Sequence, residues 1–337
     1  MDIRKSPVET LEVNNFWQDK RVFITGASGL VGSWLVEELL NRNANVVILL
    51  RDWIPGCKLI YSKLLKKTNI VRGDLSDVKL LERVLNEYEI ESVIHLAAQT
   101  IVPIANRNPL STFESNITGT YNLLEACRSS KNISSVVVAS SDKAYGEVVE
   151  LPYKEIMPLK ALYPYDVSKA CADMLSICYA TSFNLPVAVT RCGNFFGGGD
   201  LNWNRIIPST IRSVIRNEIP IIRSDGKLIR DYIYVEDAVS AYMTLSQALT
   251  LDPSLRGEAF NFSNETQKTV YDLTLCIIKL LDSNVKPIIQ GKNINEIKAQ
   301  YLDSSKAKKI LSWYPEFGFE EGLKKTIEWY KKYLGSN

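Results

Sequence analysis

Tyr165 and Lys169 stand four residues apart in the run Tyr165–Asp166–Val167–Ser168–Lys169, one turn if that run is helical. A lysine one turn from a tyrosine stabilises the phenolate, so the tyrosine can take a proton near neutral pH. The spacing alone recurs by chance and needs context. Part of that context is the cluster Ser140–Ser141–Asp142–Lys143. Ser141 lies just past the apolar run Ser135–Ala139, at the carboxyl edge where open α/β sheets bind ligands. Its hydroxyl could hydrogen-bond a hydroxyl that is being oxidised.

A second constellation lies near the start. Gly26, Gly29 and Gly32, in the run TGASGLVG at 25–32, follow the strand-like Arg21–Thr25 and open the helical pattern Leu30–Arg42. One glycine permits the tight turn, another the close approach of a pyrophosphate, and the third lets the helix pack on the sheet. The helix N-terminus then offers N–H groups to the phosphates. This predicts a bound dinucleotide, with Lys169 also placed to hold the nicotinamide ribose. Arg51 and Asp52 end the second strand, where a guanidinium suits the 2′-phosphate of NADP and a carboxylate the 2′-hydroxyl of NAD. Arg51 tips the reading toward NADP. Asp74, after the third strand, suits the adenine amine or a simple helix cap.

Positioning these groups requires alternating strands and helices. Apolar runs at Arg21–Thr25, Val46–Leu50, Ile70–Arg72, Ser92–Leu96, Ser135–Ala139 and Val187–Arg191 are separated by helical patterns at Leu30–Arg42, Val78–Glu87, Leu110–Arg128 and Ser168–Phe183. Continuous apolar strands between helices predict an α/β fold, a Rossmann-type doubly wound parallel sheet covered on both faces. Beyond Arg191 the elements shorten, with strands at Asp231–Val235 and Ala259–Phe262 and a helix over 267–282. The reading assigns residues 1–191, with about 235–258, to the dinucleotide-binding part. Residues 192–234 and 259–337 form a smaller, interleaved α/β part that faces the substrate.

Composition excludes several alternatives. With 40 basic and 38 acidic residues the net charge is +2, which gives no case for nucleic acid or an anionic membrane as partner. Six scattered cysteines and a single histidine, His95, leave no metal site and suit a reducing compartment. No apolar window approaches a membrane span and the first residues lack an apolar leader core, so the chain reads as soluble and cytoplasmic.

Several motifs together give the chain a family likeness. TGASGLVG at 25–32, HLAAQ at 95–99, N-x-x-GT at 116–120, SSDKAYG at 140–146, YDVSK at 165–169 and RDYIYVEDA at 230–238 resemble the extended short-chain dehydrogenase/reductase superfamily over nearly the whole chain. Within it the sequence is most similar to sugar-nucleotide 4,6-dehydratases of the CDP-glucose type. That likeness rests on FWQDKRVFITG, on Ser-Asp-Lys before the tyrosine–glycine pair, and on RCGNFFGGGD at 191–200 followed by Arg205–Ile206–Ile207–Pro208.

The resemblance implies a tightly bound NADP or NAD, recycled in each turnover and held by Gly26, Ser28, Gly29, Leu30, Val31, Gly32, Arg51, Asp52, Asp74, Leu75, Leu96, Ala97, Ala98, Tyr165 and Lys169. It implies a nucleotide-diphosphate sugar bound by Gln99, Asn194, Arg205 and Arg230. Tyr165, Lys169 and Ser141 would oxidise C4, and Asp142 with Lys143 would remove water across C5 and C6 to give a 4-keto-6-deoxy sugar. The likeness also implies a homodimer formed through Leu110–Arg128 and Ser168–Phe183. A C4- or C2-epimerase on the same scaffold is the alternative, since it needs no acid/base pair at C5 and C6. A dinucleotide sensor is a remote one, since such proteins typically lack the tyrosine or lysine.

Overall fold

The computed structural model describes residues 15–292 and 297–335; the leader reading therefore falls, up to residue 14, outside the described residues. Six parallel strands, β1 (Arg21–Thr25), β2 (Asn45–Leu50), β3 (Asn69–Arg72), β4 (Ser92–His95), β5 (Ser135–Ala139) and β6 (Val187–Cys192), lie in the order β3-β2-β1-β4-β5-β6. This is the doubly wound arrangement, whose crevice lies beyond the carboxyl ends of the strands. Alternate side chains of each strand enter opposite cores. Val22, Ile24, Ile48 and Val137 face one, and Phe23, Val47, Val93 and Val136 the other. Both faces are covered, so the strands read as unbroken apolar runs.

After β6 the chain leaves this sheet. β7 (Asn194–Phe196) pairs in parallel with β9 (Ile229–Tyr234), while β8 (Ile221–Ile222) lies apart. Helix Val235–Leu251 then packs back on the first layer, against helix Leu30–Asn41 and β5. It leads to β10 (Ala259–Phe262). The reading assigns β10 to the substrate-facing part; instead it joins the main sheet in parallel beside β6, as a seventh strand. β11 (Gln267–Thr269) and β13 (Ala299–Gln300) flank the first half of β9, and β12 (Ile288–Ile289) pairs with β8. The helix expected over 267–282 begins only at Val270, because Gln267–Thr269 is drawn into the small sheet and Thr269 caps the helix through its side chain. Among the described residues no helix is long and apolar enough to cross a membrane.

Two helices carry site residues. The run expected as one helix from Leu110 to Arg128 contains a π-helical turn at Glu114–Thr118 between Pro109–Phe113 and Gly119–Ser129. Such turns often mark functional sites. The helix expected from Ser168 starts at Pro164. Proline at the first helical position already holds the required φ and lacks an N–H the helix would leave unpaired. Tyr165 and Lys169 therefore occupy successive turns of one helix.

The segment after β5 is fixed by a buried polar network. Arg191 on β6 makes two bonds to Asp173 on helix Pro164–Phe183, at 2.8 and 2.9 Å. Its remaining nitrogen donates to the Tyr145 hydroxyl at 3.0 Å and the Glu155 carbonyl at 3.2 Å. Tyr145 donates to Asn261 Oδ1 on β10 at 2.8 Å and stacks on Tyr153. Burial disfavours the Arg191 cation, but the Asp173 bonds outweigh it and hold the guanidinium charged. Removing one partner of a buried pair strands the other charge. Asp173→Ala is expected to cost about 3 kcal/mol, read as a lower midpoint in urea denaturation.

Candidate functional site

A single cleft of about 920 Å³ runs past the carboxyl ends of the main strands, from Arg51 and Asp74 at one end to Arg223 and Gln290 at the other. It is lined by Gly26, Ser28–Gly32, Arg51, Asp52, Asp74, Leu75, Leu96–Ala98, Ser141, Asp142, Lys143, Tyr165, Lys169, Asn194, Arg205 and Arg230. Gln99 is the exception. Its side chain turns back to accept from the Ile101 N–H at 3.0 Å, and it does not line the cleft.

At the glycine turn, Gly26 has φ +77°, and a Cβ there would lie 2.6 Å from the Ala97 nitrogen. A Cβ on Gly32 would lie 2.2 Å from the Gly26 carbonyl oxygen. Helix Leu30–Asn41 has no side-chain cap, and its first three residues line the cleft. Bare N–H groups at such a terminus attract anions. At the end of β2, Arg51 Nε donates to Asp52 at 2.8 Å, and its guanidinium lies 3.7 Å from Asp74. Burial raises the Asp74 carboxyl, but bonds from Ser76 and the Arg51 charge outweigh this and hold it below its ordinary range. Asp74 is not the helix cap; Asp77 is, accepting from the Leu80 N–H.

In the middle of the cleft, burial dominates the chemistry. Lys169 Nζ donates to the Ala139 carbonyl at 2.7 Å, tying the helix to the end of β5. Burial lowers its pKa to about 8. Tyr165 is pushed up by burial, against the opposing charge of Arg205 and a hydrogen bond with Ser141. The sequence points to Lys169 as the cation that favours the phenolate, whereas here Arg205 exerts the larger pull. Ser141 accepts from the Lys143 N–H at 3.2 Å, which caps the short 3-10 turn Asp142–Tyr145, and donates to Asp142 Oδ1 at 3.0 Å. Burial raises Asp142 despite Lys143, Ser141 and Arg230, and its Oδ2 is buried without a partner. Lys143 Nζ donates to Gln300 Oε1 at 3.3 Å.

Behind the site, His95 is buried between Thr25 Oγ1, 2.7 Å from Nδ1, and Thr120 Oγ1, 3.0 Å from Nε2. Burial, then the Lys169 charge, lowers its pKa to about 3. From the π-helical turn, Asn116 Oδ1 accepts from the Gln99 N–H at 2.7 Å and Nδ2 donates to Ser168 Oγ at 2.9 Å. It joins the end of the HLAAQ segment to the Tyr165 helix. Sequence reasoning missed Trp203, Arg212, Ser224 and Tyr242 in the lining, since none stands in a motif. It also missed Gln300, whose partner is 157 positions away.

This geometry has counterparts. A family model described as GDP-mannose 4,6 dehydratase matches residues 23–326. The chain belongs to this family. As an extended short-chain dehydrogenase/reductase it has relatives of several activities. It is 33% identical to the CDP-glucose 4,6-dehydratase of Salmonella typhimurium, over 95% of this chain and 93% of that protein. The dTDP-glucose 4,6-dehydratase of Bacillus anthracis, solved in complex with NAD, superposes with a TM-score of 0.81 at 26% identity, covering 93% of this chain and 97% of that one. The UDP-glucose 4-epimerase of Thermotoga maritima, solved with UDP-glucose, gives 0.84 at 26% identity, covering 93% and 99%. Members of the superfamily with both activities thus share the fold.

The protein has one histidine, so His95 can be followed alone. Its folded pKa is depressed, so the folded state stays neutral while the unfolded chain takes up a proton below about 6.5. Its contribution to stability is present above that value and is lost as pH falls toward 3. The imidazole C–H resonances of the folded protein are expected not to titrate between about pH 8 and 5. Movement of those resonances in that window would contradict a dry, neutral ring.

Proposed function

We propose that this enzyme is a nucleotide-sugar 4,6-dehydratase. The observation that carries the reading is the placement of Asp142 and Lys143 side by side in the wall of the cleft. Asp142 keeps an unpartnered Oδ2 and Lys143 bonds to Gln300. An epimerase has no use for such a pair. Relatedness to the Salmonella CDP-glucose enzyme supports the same reaction.

The glycine turn, with no room for a Cβ at Gly26 or Gly32, and the uncapped helix N-terminus fit a dinucleotide pyrophosphate. A bound nicotinamide dinucleotide supplies the acceptor for the C4 hydride and its later donor to C6. The sequence favours NADP, but the arrangement around Arg51 supports NAD. Two carboxylates, Asp52 and Asp74, already share that guanidinium, and a 2′-phosphate there would meet net negative charge.

The chain's own groups do the proton work. Ser141 and Tyr165 take the C4 hydroxyl, Tyr165 accepting its proton, with the Arg205 charge opposing the burial that raises the phenol. The C4 ketone acidifies the C5 proton. Asp142, whose carboxyl burial pushes above its ordinary range, protonates the departing C6 hydroxyl, and Lys143 removes the C5 proton. Asn194, Arg205 and Arg230 bind the nucleotide diphosphate from the β7–β9 side.

Purified protein should release water from one of CDP-, GDP-, UDP- or dTDP-hexose without added cofactor, read as a mass loss with a 4-keto chromophore in base. An unchanged mass with a new sugar isomer would make it an epimerase. Asp142→Asn should lower water loss by roughly 10²- to 10⁴-fold and leave C4 oxidation in place. By calorimetry on protein stripped of cofactor, NAD should bind about tenfold more tightly than NADP. The reverse order would restore Arg51 as a phosphate ligand.

A further inference from the structure

We infer that Gln300 is a positioning residue for the elimination step, holding the Lys143 amine over the cleft through a neutral oxygen. The inference rests on the dehydratase reading above. Gln300 comes from β13, in register with Arg230 on β9. It is completely buried and lies outside the cleft wall. Its Oε1 is the only hydrogen-bond partner of Lys143 Nζ among the described residues. A lysine only donates, so the amide oxygen must face it. Nε2 is then turned into the interior beside Tyr153, on whose hydroxyl it acts.

What the oxygen achieves follows from its lack of charge. Asp142 on the same turn acts on Lys143 and is itself acted on by Arg230 of β9, while Tyr153 on the following loop lies against Gln300. Asp142 makes no ion pair with Lys143 within 4 Å among the described residues. An amine can donate one N–H to Gln300 and keep its lone pair for the C5 proton. The electrons of the C5–H bond then form C5=C6, the C6–O bond breaks, and the hydroxyl leaves as water with the Asp142 proton. A carboxylate at position 300 would pair with Lys143 and hold its proton more tightly, so that its lone pair is offered less readily.

Gln300→Glu and Gln300→Leu separate these effects, each compared with wild type using the nucleotide hexose that wild type turns over. Three readouts are taken: solvent deuterium entering C5, the pH profile of kcat for water loss, and substrate-dependent reduction of bound cofactor at 340 nm. In Q300E the acidic limb should move up by about one pH unit and C5 exchange should fall about tenfold at pH 7. Cofactor reduction should stay within about twofold of wild type, since it precedes Lys143's step. Q300L should lose C5 exchange while its acidic limb stays in place. A folded Q300E with unmoved limb and unchanged C5 exchange overturns the inference. Should Q300E not fold, Q300L decides: equal losses in cofactor reduction and C5 exchange, or no loss in either, overturn it. A wild type that isomerises substrate with neither C5 exchange nor water loss overturns the dehydratase reading, and this inference with it.

Discussion

Two charges out of water, Arg191 and Asp173, hold the centre of this molecule. Desolvating such a pair is costly, and attraction repays the cost only when the geometry is good and the remaining donors are satisfied. Both conditions are met. The bonds are bidentate, and the third nitrogen finds Tyr145 and the Glu155 carbonyl. A strand, a helix and a loop meet in that one contact, and Asn261 adds a second strand through Tyr145 and the Tyr153 carbonyl. Ser141, Asp142 and Lys143 enter this loop at one end, and Tyr165 stands on the helix. The relative placement of the oxidising and dehydrating groups therefore depends on side chains that never meet the cleft.

Within the cleft, solvent exclusion sets the protonation states more than pairwise charge does. Burial is the largest influence on His95, Asp142, Tyr165 and Lys169, and in each it favours the neutral form. Arg205 opposes that trend at Tyr165, and Lys143, Ser141 and Arg230 oppose it at Asp142, yet burial prevails at both, so acid and base functions are set by where each group meets the substrate. Position, with charge as a correction, separates the roles.

Much of this was legible in the amino-acid order because the relevant signals are local. Val46–Leu50 reads as a strand because both of its faces are buried, and Gly32 is required by a contact with Gly26 within one turn. Tyr165 and Lys169 declare themselves by spacing. What stayed hidden involves partners far along the chain. Ala259–Phe262 gives no sign that it pairs with β6, since a buried strand looks the same in either layer. Gln99 belongs to a motif, yet Ile101 and Asn116 turn it away from the cleft. The contact of Lys169 with Ala139 is equally silent, because a lysine reaching a main-chain oxygen leaves no pattern.

The path of the chain between the two layers bears on how a ligand gets in. The backbone leaves the main sheet after Cys192, returns with Val235, and leaves again after Phe262. β10 and helix Val235–Leu251 stay with the main sheet, so the two layers are joined by three separate crossings, and a swing of the smaller layer would have to bend all three together. Clamshell closure of the kind seen where one or two linkers join the halves is harder with three. A ligand then reaches the cleft at least cost by a rearrangement of rim segments.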